Sequence, residues 1–256
     1  MAAARSLSTK LVDFMGGRGI YSATNGSSKE KIQLLGATIG FHAKNIGGSP
    51  ESRKDIVTLV ENAGFVGAYG TDSIGMQSMG AYLSAISKLE REYGALSAVP
   101  TTIMGADGRG FYAAAGHSDK SAVLMLNRSS MANAAAHARS QKKAEADGFK
   151  MPTDGKLTSL ANYTVKHEYG HLLQNALYQK AKTNGYSGTE GQFAASVYKE
   201  IKKTAQKKYG ATDSSLSRYG HNNSMEAFAE SFANLNSGSP NAFGKALGEY
   251  LSNNKL

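Results

Sequence analysis

Cysteine and tryptophan are both absent from this 256-residue chain, and proline occurs only 4 times. Without cysteine there are no disulfides, no thiol nucleophile, no cysteine-ligated zinc module and no cysteine-based latency switch. That absence suits a reducing compartment without requiring one. No apolar run reaches the length of a membrane span. Near the start, Arg5 is not followed by a continuous apolar stretch, because Asp13 interrupts it, so an ordinary signal peptide is not expected. The cytoplasm, a virion and secretion by a non-classical route stay open.

Acid is the scarcer charge: 20 Asp and Glu face 29 Lys and Arg, for a net charge of +9. An acidic partner, a nucleic acid or a membrane surface would each answer that excess. Its densest stretch is Lys199, Lys202, Lys203, Lys207 and Lys208, opposite an apolar stripe of Phe193, Val197 and Ile201. Lysines placed in this way form the wet face of an amphipathic helix. The stretch lacks the interleaved aromatics and arginines that read bases or stack on single strands, so nucleic acid is not the expected partner.

What is present is His167-Glu168-Tyr169-Gly170-His171, the pattern H-E-x-x-H. The surrounding stretch Leu157 to Lys180 reads as a helix, with Leu160, Tyr163, Thr164, Val165, His167, His171, Leu172 and Leu173 on an inward face and Thr158 or Ser159 as its cap. On a helix, residues four apart stand one above the other, so both imidazoles can hold one cation. Glu168, one step round the helix, is placed to take a proton from a water polarised by that cation. Imidazole nitrogen with one carboxylate suits Zn²⁺, which brings no redox chemistry. Two buried histidines could instead be satisfied core residues, but polar groups on an inward face need partners and a metal supplies them.

A hydrolytic zinc site takes three protein ligands and leaves one position open. A glycine and a histidine three and six residues after the second motif histidine would continue one such pattern, and those positions hold Gln174 and Leu177. The third ligand is therefore expected downstream, between Ser217 and Ala233. There Ser224 reads as an N-cap, Glu226 and Glu230 lie four apart on one helical face, and Phe228 and Phe232 share another. This segment resembles the zinc-site region of the lethal factor type of metallopeptidase, and more loosely related H-E-x-x-H proteins of phages and bacterial toxins. The resemblance rests on Tyr219-Gly220, then Asn222-Asn223, then Glu226-Ala-Phe-Ala-Glu230-Ser-Phe232, and covers roughly the last hundred residues. It implies that Glu226 is the third zinc ligand, that Glu230 orients a ligand histidine, and that Tyr219 stabilises the oxyanion. Each role has a physical basis in carboxylates that fix histidine tautomers and phenols aimed at developing charge. His221 is the rival third ligand or proton donor.

Along the chain, residues 1–49 are rich in glycine, serine and alanine, with a possible strand over Ile32–Phe41; they read as an arm, an assembly tail or a removable pro-segment. Ser49-Pro50-Glu51 opens a helix through Asn62, and Thr71-Asp72 a longer one through Tyr93, ended by Gly94. Val99–Met104, Gly110–Ala115 and Ser121–Leu126 read as short strands, the last two paired antiparallel with the second at the sheet edge. His117 falls in the turn between them as a surface residue. Asn127–Pro152 reads as a partial helix or a loop over the cleft, and Pro240–Ser252 as a closing helix.

These readings combine into an α+β, zincin-like domain over 50–256: a small twisted sheet, a motif helix and a second, glutamate-bearing helix. The expected activity is gluzincin-type zinc endopeptidase action on a peptide or protein substrate, with an edge strand available to pair with an extended peptide. A virion or toxin-associated protein with a structural, non-catalytic zinc is the alternative, and a basic nucleic-acid-binding module the third.

Overall fold

The computed structural model describes residues 60–256 apart from 62, 72, 73, 75, 108–110 and 119. The extension over 1–49, its possible strand and most of the helix expected from Ser49 lie outside the described residues. Those described form an α+β structure with seven α-helices and one mixed four-stranded sheet. They divide into two compact units: residues up to Glu90 with Leu96–Ala132, and Arg91–Ala95 with Asn133–Leu256.

The first unit holds the sheet. Its strands are β1 (Gly67–Tyr69), β2 (Thr101–Ala106), β3 (Ala113–His117) and β4 (Ala122–Asn127), in the order β1-β2-β4-β3. β1 and β4 both run parallel to β2, with Ile103 opposite Leu124, and β3 is antiparallel to β4, with Ala115 opposite Leu124. β4 is buried at every position, as an interior strand covered on both faces must be, which explains its unbroken Ala-Val-Leu-Met-Leu run. β3 is an edge strand, as expected, with β1 at the other edge, though it begins three residues later than expected and takes in His117. Pro100, with no N–H to give, precedes β2 and shifts its start to Thr101. β1 has no legible strand pattern in the sequence, because it is only three residues long and is set among Gly64, Gly67 and Gly70. Its end comes so close to β2 that a Cβ at Gly105 would lie 1.9 Å from the Gly70 carbonyl oxygen, so only glycine fits there.

Helix α1 (Met76–Tyr93) begins later than the Thr71 expected, because Ile74 N–H closes a turn on Thr71 O instead. Met79, Tyr82, Leu83, Ile86 and Leu89 are its buried stripe. The Glu90 carboxylate then accepts from the amides of Leu96 and Ser97, both at 2.9 Å, and so caps the short helix α2 (Ala95–Ala98).

The second unit is helical: α3 (Ala134–Ala146), α4 (Leu157–Thr183), α5 (Glu190–Tyr209), α6 (Ser224–Leu235) and α7 (Ala242–Asn253). Asn133, Thr189, Asn223 and Asn241 cap α3, α5, α6 and α7 through their side chains. Two cap assignments need correction. Ser224 is the first residue of α6 rather than its cap, since Asn223 Oδ1 already accepts from Met225 and Glu226 N–H, each at 2.9 Å. Neither Thr158 nor Ser159 caps α4, whose boundary residue is Lys156, with no side-chain capping bond. α4 packs on α3 and α6, while α6 also meets α5 and α7. A Cβ at Gly170 would lie 3.0 Å from Ala229 Cα and 3.2 Å from Phe232 Cβ. The absence of a side chain there lets α4 and α6 cross closely, and the motif histidines face the two glutamates across that crossing.

Candidate metal centre

His167 and His171 stand one turn apart on α4, with ring centroids 4.9 Å apart. Glu226 comes from the first turn of α6, where a carboxylate is favoured by the exposed N–H groups of the helix end. Its Oε2 lies 3.0 Å from His167 Nε2 and 3.4 Å from His171 Nε2. A carboxylate oxygen and two imidazole nitrogens cannot converge so closely on their lone pairs alone; a proton or a cation must stand between them. Metal–ligand bonds of about 2.1 Å in a tetrahedron put neighbouring ligand atoms about 3.4 Å apart, so the spacing and the donor set fit zinc. Among the described residues, these three form the one group of this kind able to hold a metal ion.

The electrostatics agree with the geometry. Burial and the nearby Lys150 charge would push His167 down, but its contacts with the Glu226 and Glu230 carboxylates outweigh them and raise it to about 9. Burial would raise Glu226, yet the two histidines hold it well below the usual carboxylate range. The pocket thus favours positive charge at the point where the ligand atoms converge.

Neither a family model, nor a curated protein, nor a solved structure matches this chain.

Glu230, one turn beyond Glu226, is fully buried. Its Oε1 lies 2.8 Å from His167 Nδ1, within ion-pair range though off the line of a regular hydrogen bond, and accepts from Lys150 Nζ at 3.0 Å. Its Oε2 accepts from Ser217 Oγ at 2.6 Å, Tyr163 Oη at 3.0 Å and Met151 N–H at 3.1 Å. Burial alone would raise this carboxyl, but His167, Lys150 and Ser217 hold it to about 2.

Glu168 is nearly buried beside the histidines. Tyr219 sits with its ring 5.5 Å from that of His167. Burial first, then the charges of Glu226, Glu168 and Glu230, push its phenol above the ordinary value. Backbone pairing fixes Tyr219: Arg218 N–H donates to Gly148 O at 3.0 Å and Tyr219 N–H to Phe149 O at 3.2 Å. His221, by contrast, is exposed, gives its Nε2–H to the Asp213 carbonyl at 3.0 Å, and does not join the triad.

The structure thus brings His167, Glu168, His171, Tyr219, Glu226 and Glu230 into one site. Sequence reading missed Lys150, Tyr163 and Ser217. Tyr163 was visible as an inward-facing phenol, and a buried Tyr hydroxyl needs a partner. Lys150 and Ser217 meet Glu230 from 80 and 13 residues away, and no local pattern marks either.

Proposed function

We propose that this chain is a zinc-dependent endopeptidase of the gluzincin type, with a zincin-like fold, hydrolysing peptide bonds in peptide or protein substrates. The observation that carries the reading is the convergence of His167 Nε2, His171 Nε2 and Glu226 Oε2, 3.0 and 3.4 Å apart across the α4–α6 crossing, with a glutamate next in sequence to the first histidine. Those three atoms would hold the metal. Zinc bound there supplies a Lewis acid that polarises the scissile carbonyl and brings the pKa of a water towards neutrality.

The rest belongs to the chain. Glu168 takes the proton as the water's oxygen adds to the carbonyl carbon, then delivers it to the leaving nitrogen as the C–N bond breaks. Tyr219 donates a hydrogen bond to the carbonyl oxygen as that atom gains charge, an interaction stronger in the transition state than in the bound substrate. Its raised pKa keeps the phenol protonated, as a donor must be. Glu230 fixes the ring of His167 from behind. A structural zinc would require none of the catalytic arrangement around Glu168 and Tyr219.

The test is Glu168→Gln. The variant should bind zinc as the wild type does and lose about 10²–10⁴-fold in turnover of a peptide library, the range supplied by a general acid–base residue. Cleavage at the wild-type rate would sink the mechanism.

A further inference from the structure

Lys150 lies in the short segment between α3 and α4, with its side chain largely buried. Its Nζ is 3.0 Å from Glu230 Oε1 and 3.7 Å from the centroid of the Tyr219 ring. A buried ammonium is costly unless paired, and here its closest partners are a carboxylate and the Tyr219 face, with the Phe149 and Tyr163 rings at 5.8 and 6.0 Å. The two groups it joins have different tasks. Glu230 stands behind His167, and Tyr219, with its ring 5.5 Å from that of His167, is the oxyanion donor of the peptidase reading. The same segment is locked to Tyr219 through the main chain, since Gly148 and Phe149 carbonyls accept from the Arg218 and Tyr219 amides, and Arg218 donates to Asp147 O at 2.9 Å. Met151 N–H adds a second bond from this segment to Glu230.

We propose that Lys150 is a positioning residue that couples the two halves of the site, setting the Tyr219 ring and the Glu230 carboxylate by simultaneous contact with both. It touches neither substrate nor metal and acts only through these partners. The inference rests on the peptidase reading for its kinetic consequence, but not for the two contacts or for their effect on metal affinity.

Three variants separate these effects. Lys150→Met, which keeps the aliphatic stem, should lower kcat about 10–100-fold with KM within threefold, and weaken zinc about tenfold in competition with a chromophoric chelator, as loss of support behind a ligand histidine does. Lys150→Arg, able both to pair with a carboxylate and to lie on an aromatic face, should recover most of both. Lys150→Gln keeps a donor for Glu230 but no charge over the ring, so it should hold zinc affinity and lose kcat; it carries the test if the Met variant fails to fold. In a Tyr219→Phe background, Lys150→Met should cost less than threefold further in kcat. Wild-type kcat and zinc affinity in Lys150→Met, or no recovery with Arg, overturn the proposal.

Failure of the peptidase reading shows separately, as wild-type protein that binds zinc and cleaves nothing; the zinc arm then decides. The ring contact itself is read in metal-free protein by a urea double-mutant cycle of Lys150→Met with Tyr219→Leu. Coupling of threefold or more in the unfolding constant supports the contact, and additivity overturns it.

Discussion

Glu230 and Glu249 are two helical glutamates with the same kinds of partner, a lysine ammonium and a tyrosine hydroxyl. Glu230 on α6 accepts from Lys150 and Tyr163 and is fully buried. Glu249 on α7 accepts from Lys208 and Tyr209 at the surface. Both carboxyls are held below their ordinary range, Glu230 against the pull of burial and Glu249 chiefly by its hydrogen bond with Lys208. Burial separates their consequences. Around Glu249 water and salt can replace any partner, so the pair contributes little. Around Glu230 nothing can, so each lost partner leaves another polar group stranded, and one of those groups is a motif histidine.

That contrast is sharpest on removing the carboxylate. Glu230→Ala should destabilise the fold by about 3–5 kcal/mol, because Lys150 is left buried without its carboxylate. The double variant Glu230→Ala with Lys150→Met should cost less than Glu230→Ala alone in urea unfolding; a further loss would mean that the lysine does not depend on the carboxylate.

A smaller effect comes from His137, buried on α3. Its Nδ1 gives a proton to the Ala161 carbonyl at 3.0 Å, and with the ring kept neutral by burial Nε2 accepts from Thr164 Oγ1 at 2.9 Å. Burial pushes its pKa below the usual 6.5. Unfolded chains therefore protonate first as pH falls, and the stability that His137 contributes, full above about 6.5, is lost below it. Glu226 and Glu230, held low, act only below their ordinary 4.5, and His167, raised to about 9, acts as pH rises above 6.5. Burial raises Glu145 above 4.5 and so opposes that loss. Between pH 6.5 and 5 the urea midpoint should fall, and His137→Gln should flatten that slope; an unchanged slope would remove His137 as its cause. The smallest effect belongs to Glu249→Ala, which should leave the melting temperature unchanged within error. A clear drop would erase the contrast between the two glutamates.

Periodicity and spacing made much of this legible. The motif helix was readable because two histidines four apart must share a face, and the α6 glutamates for the same reason. The β3–β4 hairpin followed from two short apolar runs and a polar turn. Sequence could not give the residues whose role is set only by tertiary approach. Lys150 lies in a polar stretch that reads as loop, and its meaning comes from an α6 carboxylate 80 residues on. Ser217 and the Gly170 crossing are of the same kind. Cap positions slipped because Asn223 and Ser224 are both good caps, and only the backbone shows which one stands outside the helix.

The measurement that tests the central claim most directly is the metal content of purified wild-type protein beside Glu226→Ala, with chelator competition on both. One zinc per chain in the wild type, lost or held about 10-fold or more weakly in the variant, is the expected result. A wild type without zinc, or a variant that holds zinc as tightly, would contradict the account.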